Sequence, residues 1–398
     1  MSDVEKPAPR VFFYVQHLLG IGHLARASRI ARALVEDGFD VTMVTGGTPV
    51  QGFPGPGIRH VELPPVAAGD AGFSGLVDLA GNPVDDAFRD HRRRRLLAAF
   101  RETTPDVVII EAFPFGRRQV RVELLPLLDE IAAMQERPIV LSSLRDILQE
   151  RSKPGRDEES VALATSRFDG ILVHGDPSFA RLEDSFSLAG AIADRVIYTG
   201  LVAAPPPAPT SERFDILVSA GGGAVGATVN EAAIAAARAL PQALRWCLIA
   251  GPNLPQAAFD TAVATTPDNV HVTRFRPDFP GLLAAARLSV SQSGYNTVCD
   301  ILRAGCRAVF VPFTAGGETE QTARALRLER LGLATVVSGS TLSPESLTRA
   351  IATAMERPMR PIPPLDLDGA AKTSTILRRL LAGTRVSDLA RESAAPQV

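Results

Sequence analysis

Residues 11–34 read VFFYVQHLLGIGHLARASRIARAL, and residues 215–240 read DILVSAGGGAVGATVNEAAIAAARAL. Each stretch opens with an apolar, β-rich run, breaks at glycines and continues into an Ala/Arg-rich helical segment. This is the strand–turn–helix opening of a Rossmann-like unit. Two such openings in one chain predict an α/β protein of two units, each a parallel sheet wound with crossover helices. Working outward from the first, the runs 11–15, 41–44, 107–110, 139–141, 171–173 and 196–198 predict strands. From the second, strands are predicted at 215–218, 245–249, 270–272, 288–290, 308–311 and 335–337. Between the two sets, residues 203–209 read AAPPPAP. Prolines lack a donor and restrict the residue before them, which excludes a helix or central strand and marks a linker. The predicted plan is therefore an N-terminal unit over 1–202, a linker over 203–213, a second unit over 214–364, and a terminal segment over 365–398. In that segment an amphipathic helix is expected at roughly 370–381, packing back on the first unit, with a disordered polar tail from Ser387.

The 398 residues are 45% hydrophobic and 22% charged, which excludes a wholly disordered chain. Forty-two basic residues nearly balance 44 acidic ones, for a net charge of -2, so a nucleic-acid binder held by a broad cationic field is not expected. Cys247, Cys299 and Cys306 form no C-x-x-C pair, so neither a disulfide framework nor a structural zinc site is expected. The polar first ten residues do not resemble a secretory signal, and no stretch reaches the roughly 18 apolar residues of a membrane span. A cytoplasmic protein, soluble or peripherally attached at the inner membrane face, is expected.

The loops Gly20-Ile-Gly22-His23-Leu-Ala25 and Gly221-Gly222-Gly223-Ala-Val-Gly226 both fit the loose dinucleotide pattern. An NAD site also needs an acid at the end of the next strand. Those strands run instead into Thr45-Gly46-Gly47 and Ala250-Gly251-Pro252, which argues against an oxidoreductase. Tight turns that let helix pack on strand remain the simpler reading of either loop alone.

The stretch 291–300, SQSGYNTVCD, and the stretch 312–321, PFTAGGETEQ, are more discriminating. Ser293, Gly294, Asn296 and Thr297 sit at a strand-to-helix junction, where amides and hydroxyls can bind a diphosphate. Asp300, one turn inside, can accept from sugar or ribose hydroxyls. Glu320 and Gln321 offer an acceptor and an amide at the carboxyl edge of the next strand, where open α/β sheets bind ligands. This set requires no metal.

These residues resemble the donor-binding half of the GT-B glycosyltransferases, in particular the group containing the peptidoglycan N-acetylglucosaminyltransferase and the monogalactosyldiacylglycerol synthases. The resemblance extends over roughly residues 11–382. It implies a GT-B fold, two Rossmann-like domains facing a central cleft. It also implies an inverting, metal-independent hexosyl transfer from a nucleotide sugar, most readily UDP-linked, as cosubstrate with no further cofactor. By resemblance Asp300 holds the ribose, Ser293, Asn296 and Thr297 the phosphates, Glu320 and Gln321 the donor sugar, Gly222 and Gly223 line the donor loop, and Phe275 lies near the base. The Gly20–His23 loop resembles the Gly-x-Gly-His loop of the same family, which makes His23 the general base, with Gly22 and Arg26 beside the acceptor. This sequence departs from the peptidoglycan enzyme at Gly223-Ala224-Val225, where that enzyme has a Ser-Gln pair, and at Tyr295, where it has a small residue.

On the acceptor side, Glu111-Ala-Phe-Pro-Phe-Gly-Arg117 follows an apolar strand. Glu111 is expected to anchor the acceptor or orient His23, Arg117 to bind an anionic group, and the two phenylalanines to form an apolar wall. Ser143-Leu-Arg145-Asp146 and His174-Gly-Asp176 also end predicted strands and are candidates for the same lining. The run Arg92, Arg93, Arg94 and Arg95 precedes apolar residues and is a candidate contact with anionic lipid, against the plainer reading of a solvated helix face. Asp366-Leu-Asp368 has a metal-binding spelling but lies far from the donor motifs and is assigned no role. The acceptor is expected to be a small molecule, lipid or glycan bearing a hydroxyl. The competing functions are hydrolysis of a nucleotide sugar, because the Gly-His-Leu-Ala-Arg loop also resembles the UDP-sugar hydrolase of pseudaminic acid synthesis, and nucleotide-sugar binding without catalysis.

Overall fold

The computed structural model describes residues 7–18, 20–69, 75–150, 153–219, 226–251, 254–314, 317–358, 361 and 364–395. They form two compact units, one of residues 1–202 with 366–398 and one of residues 203–365.

In chain order the first unit contains β1 (Arg10–Val15), α1 (Gly22–Glu36), β2 (Asp40–Thr45), β3 (Arg59–Glu62), an antiparallel pair β4 (Ala67–Ala68) and β5 (Leu76–Val77), α2 (Asp86–Thr103), β6 (Val107–Glu111), α3 (Arg121–Ala132), β7 (Ile139–Arg145), α4 (Arg156–Arg167), β8 (Gly170–His174) and β9 (Val196–Tyr198). Seven of the strands pair in parallel in the order β3-β2-β1-β6-β7-β8-β9. Helices cover both faces, so β1 is buried continuously from Val11 to Val15 and not alternating. Its Phe12 and Tyr14 pack in one layer with Leu96, Phe100 and Leu124, and Phe12 meets the Phe100 ring edge-on at 5.8 Å. Strand β3, RHVE, has no apolar run to announce it; it forms because β2 offers an open edge. The sheet grows outward in both directions from β1 and β6. Their carboxyl ends therefore flank the topological switch point, where connecting loops diverge and ligands bind in such sheets.

The second unit continues with β10 (Ile216–Ser219), α5 (Ala227–Ala239), β11 (Trp246–Ile249), α6 (Gln256–Ala264), β12 (Val270–Thr273), α7 (Phe279–Ala285), β13 (Leu288–Ser291), α8 (Tyr295–Ala304), β14 (Arg307–Phe310), α9 (Glu320–Arg330), β15 (Ala334–Val336) and α10 (Pro344–Glu356). Its parallel order is β12-β11-β10-β13-β14-β15, which puts the switch point between β10 and β13. The small side chains Ala232, Ala233 and Ala236 of α5 share one buried cluster with Val218, Trp246, Leu347 and Ile351.

The chain then returns to the first unit. Helix α11 (Gly369–Leu381) packs on α1, as the sequence predicts. Ser374 Oγ donates to Asp37 Oδ2 at 2.5 Å, Arg378 Nε donates to the same oxygen at 3.1 Å, and the Arg378 guanidinium lies 4.3 Å from the Phe39 ring centre. A Cβ at Gly369 would collide with the Gly200 carbonyl, so only glycine permits this approach. The expectation of a disordered tail from Ser387 is corrected: Val386–Ala394 is a helix, α12. Leu389 and Ala390 are buried, and Ser393 Oγ accepts from the Tyr198 amide at 3.0 Å. That amide belongs to the edge strand β9, so the polar tail is ordered by the groups it caps. Among the described residues no helix is long and apolar enough to cross a membrane.

Candidate active site

His23 is the second residue of α1 at the carboxyl end of β1, and Glu111 is the last residue of the adjacent β6. The switch point thus brings together two residues 88 positions apart: His23 Nδ1 lies 2.8 Å from Glu111 Oε1. Arg26, one turn into α1, pairs with the same oxygen, and Ser143 Oγ on β7 donates to Oε2 at 2.6 Å. Glu111 and Ser143 are fully buried and Arg26 nearly so, while the His23 side chain keeps 16% of its surface exposed.

The charges follow from this packing. Burial works to raise the Glu111 pKa, but the Arg26 charge and the bonds from His23 and Ser143 outweigh it and bring it down to about 2. Burial and the nearby Arg117 push His23 down to about 3, against the opposing pull of Glu111. At neutral pH the pair is a carboxylate and a neutral imidazole. With Nδ1–H directed at the carboxylate, Nε2 carries the lone pair, which is the arrangement of a base held by an acid.

Several expected residues have other places. Arg26, assigned beside the acceptor, is only 2% exposed and neutralises Glu111. Of the two roles expected of Glu111, its position fits the contact with His23, and it presents no exposed surface for an acceptor. Gly22 opens α1 and is exposed. Arg117 adopts a left-handed conformation, φ 56°, and its Nε donates to the Gln16 carbonyl at 2.8 Å. Burial and the charge of Arg145 lower its pKa to about 10. Phe113 and Phe115 form no open wall; they pack on Phe168 and Phe186 in the core. Asp176 binds the Ser178 and Asp366 amides, both at 2.8 Å, and Asp366 also pairs with Lys372, so the Asp366–Asp368 stretch is structural.

The arginine run is corrected in part. Arg92 is 2% exposed and cannot touch a membrane. It forms an ion pair with Glu123 at 2.8 Å, donates to Gln16 Oε1 at 2.9 Å and to the Gly46 carbonyl at 3.1 Å, and also bonds the Pro64 carbonyl. One guanidinium therefore ties together the loops that follow β1, β2 and β3. A Cβ at Gly46 would strike Gln16 and Arg92, which explains the glycine there. Arg93 pairs with Asp90 at 2.9 Å, and Arg94 and Arg95 are exposed.

In the second unit, Ser293 and Gly294 join β13 to α8, while Glu320 and Gln321 open α9 beyond β14. The two motifs are stitched together. Ser293 Oγ donates to the Gln321 carbonyl at 2.8 Å, Arg324 Nη1 donates to the Ser293 carbonyl at 3.0 Å, and Arg324 Nη2 pairs with Glu320 Oε1 at 2.8 Å. Gln321 Oε1 accepts from the Phe313 amide at 3.2 Å. Arg324 is the residue the sequence reading missed; its i,i+4 spacing from Glu320 on α9 was the available signal. Asn296 and Thr297 are half-buried in the first turn of α8, and the N-cap residue Gly294 brings no capping side chain. Asp300 is buried one turn on, where Oδ1 accepts from the Ala204 amide at 3.3 Å. Phe275 is 64% exposed on the loop after β12. Gly222 and Gly223 lie outside the described residues.

Residues 217–374 match the family described as the glycosyltransferase family 28 C-terminal domain. Over that segment the chain is similar to the C-terminal domain of the family 28 glycosyltransferases. The family 28 match begins in β10 and takes in the two donor-side motifs. Among similar proteins is the UDP-N-acetylglucosamine--N-acetylmuramyl-(pentapeptide) pyrophosphoryl-undecaprenol N-acetylglucosamine transferase of Brucella anthropi, 32% identical over 52% of this chain and 56% of that one. The protein of the same name from Methylorubrum populi is 32% identical over 44% and 47%. The matches span about half the length of these relatives. Among solved structures, CalG4, the calicheamicin glycosyltransferase, matches with a TM-score of 0.59 at 16% identity over 98% of this chain and 96% of that one. The MurG of Acinetobacter baumannii matches with a TM-score of 0.57 at 17% identity over 94% and 100%. The fold is GT-B, two Rossmann-like units.

Proposed function

We infer that the chain is an inverting glycosyltransferase that moves a sugar from a nucleotide diphosphate, UDP in the first instance, to an acceptor hydroxyl. The observation that carries this reading is the 2.8 Å bond between His23 Nδ1 and the buried Glu111 carboxylate, which leaves Nε2 as the basic nitrogen. In the reaction Nε2 takes the acceptor proton as the acceptor oxygen bonds to the anomeric carbon. The bond from that carbon to the diphosphate breaks, and its electron pair leaves with the diphosphate.

The donor reading assigns the diphosphate to the amides and hydroxyls at the start of α8, with Ser293, Gly294, Asn296 and Thr297, the ribose to Asp300, and the sugar to Glu320 and Gln321. It is supported by the family 28 match, by the glycine N-cap of α8, and by the bonds that hold the two motifs together. Phe275, exposed on its loop, is available to a base. On the acceptor side, the positive charges of Arg117 and Arg145, which act on one another, favour an anionic group on the acceptor. Such a group is present in the lipid-linked pyrophosphate named for the Brucella and Methylorubrum relatives. For a lipid acceptor the exposed Arg94 and Arg95 supply the peripheral contact with a membrane face.

The test is a panel of nucleotide sugars screened for binding, followed by transfer from the tightest donor into lipid and polar acceptors, with wild type and His23→Ala in parallel. The expected result is donor binding in both proteins and transfer in wild type alone. Equal turnover by the variant removes His23 from catalysis. Release of free sugar regardless of acceptor makes the protein a hydrolase, and binding without any turnover makes it a sensor.

A further inference from the structure

Behind the His23–Glu111 pair lies a row of polar side chains that takes no part in the chemistry above. Ser143 on β7, His174 at the end of β8 and Thr199 just beyond β9 are all 0% exposed. Central parallel strands covered on both faces are normally filled with Val, Ile and Leu. Here three polar residues cross three adjacent strands and end on the Glu111 carboxylate. Ser143 Oγ is 2.6 Å from Glu111 Oε2 and 3.0 Å from His174 Nε2, and His174 Nδ1 is 2.9 Å from Thr199 Oγ1.

Proton counting fixes the direction of these bonds. A carboxylate has no hydrogen, so Ser143 gives its single proton to Glu111 and can only accept from His174. His174 Nε2 therefore carries a hydrogen. Burial and the Arg26 charge keep the ring neutral, with a pKa lowered to about 3, so Nδ1 is the accepting nitrogen. The Gly200 carbonyl, 2.9 Å from Thr199 Oγ1, competes for the Thr199 proton, so the firm part of the row runs from His174 through Ser143 to Glu111. With Oε2 held from this side, the carboxylate cannot turn, and Oε1 stays on His23 Nδ1.

We propose that Ser143 and His174 are positioning residues that lock the Glu111 carboxylate and thereby hold His23 in the Nδ1–H tautomer. This rests on His23 being the base. The tautomer, however, belongs to the resting protein and is measured without substrate.

The experiment is histidine nitrogen NMR on the ligand-free full chain at neutral pH for wild type, Ser143→Ala, His174→Leu and His174→Gln, with kcat and KM measured alongside. Wild-type His23 is expected in the Nδ1–H form. In Ser143→Ala and His174→Leu the two tautomers mix, and kcat falls roughly 10- to 100-fold with KM little changed. His174→Gln keeps an N–H directed at Ser143 and retains the wild-type tautomer, a rescue that mere space-filling does not explain. A wild-type His23 protonated on Nε2, or an unchanged tautomer in Ser143→Ala, overturns the proposal. Ser143→Ala removes one oxygen from a packed site and decides the question if His174→Leu does not fold. Failure of the wild type to transfer sugar would end the functional reading, while the tautomer would still decide the role of the row.

Discussion

The Glu111 carboxylate divides its two oxygens between His23 and Arg26 on one side and Ser143 on the other. One buried charge therefore holds both the imidazole and the Arg26 guanidinium. The consequences for catalysis and for stability can be separated.

For catalysis, His23→Ala removes the proton acceptor and leaves the second unit untouched. Loss of a general base predicts a kcat lower by roughly 100- to 10,000-fold. The dissociation constant for the nucleotide sugar, measured by titration calorimetry, is expected to stay within about twofold. A large loss of donor affinity would place His23 in binding instead.

For stability, Glu111→Ala removes the carboxylate that pairs with the buried Arg26. Breaking one half of a buried pair costs about 3–5 kcal/mol, which urea unfolding resolves easily. Exchanging Arg26 and Glu111 together for apolar residues should cost less than the single change. A single variant as stable as wild type would mean that solvent reaches Arg26.

The pH dependence has a definite sign. His23 acts when neutral, and burial holds its pKa near 3, so the acid limb of kcat/KM should lie well below the ordinary histidine value of 6.5. A limb at 6.5 would assign the proton transfer to another group. Stability behaves differently. His17, His23 and His174 all have folded pKa values below 6.5, lowered first by burial. As pH falls below 6.5 the unfolded chain takes up protons that the folded chain refuses, and stability declines. Below the ordinary Glu value of 4.5 the unfolded carboxylate takes up a proton that Glu111 refuses down to about 2, which adds to the decline. Thermal melts between pH 7.5 and 4 should show a monotonic fall, flatter in His174→Gln.

Arg92 separates a structural from a surface role for the arginine run. Arg92→Ala strands Glu123 beside the Tyr14 hydroxyl and frees three loops, for a loss of about 3–5 kcal/mol. Arg94→Ala and Arg95→Ala should each cost less than about 0.5 kcal/mol. If vesicles containing anionic lipid retain the protein, it is the Arg94/Arg95 double variant that should release.

Much of this was legible in the chain. Buried strands such as β1, β6 and β13 announce themselves as apolar runs because both of their faces are covered, and the glycine-bearing turns after β1 and β13 mark where ligand groups gather. His23 and Glu111 were legible as candidates, and the choice between Glu111 anchoring an acceptor and orienting His23 was not, since it depends on β1 and β6 being neighbours across 88 residues. Arg92 was illegible for a related reason. Its neighbours in sequence are exposed arginines, and its partner Glu123 lies on another helix. The largely exposed RHVE of β3 and the polar residues of α12 lacked an apolar signature, because both are ordered by the edges they cover.

The return of α11 and α12 to the first unit also sets an order of events in biosynthesis. Residues 1–202 leave the ribosome long before residues 366–394, with the whole second unit synthesised in between. At ordinary elongation rates that interval is about 10 to 40 s. Throughout it the Tyr198 edge is bare and the surface of α1 uncovered. The nascent first unit is therefore a natural client for chaperones, and a premature stop between residue 202 and the start of α12 would release a chain with that edge still open.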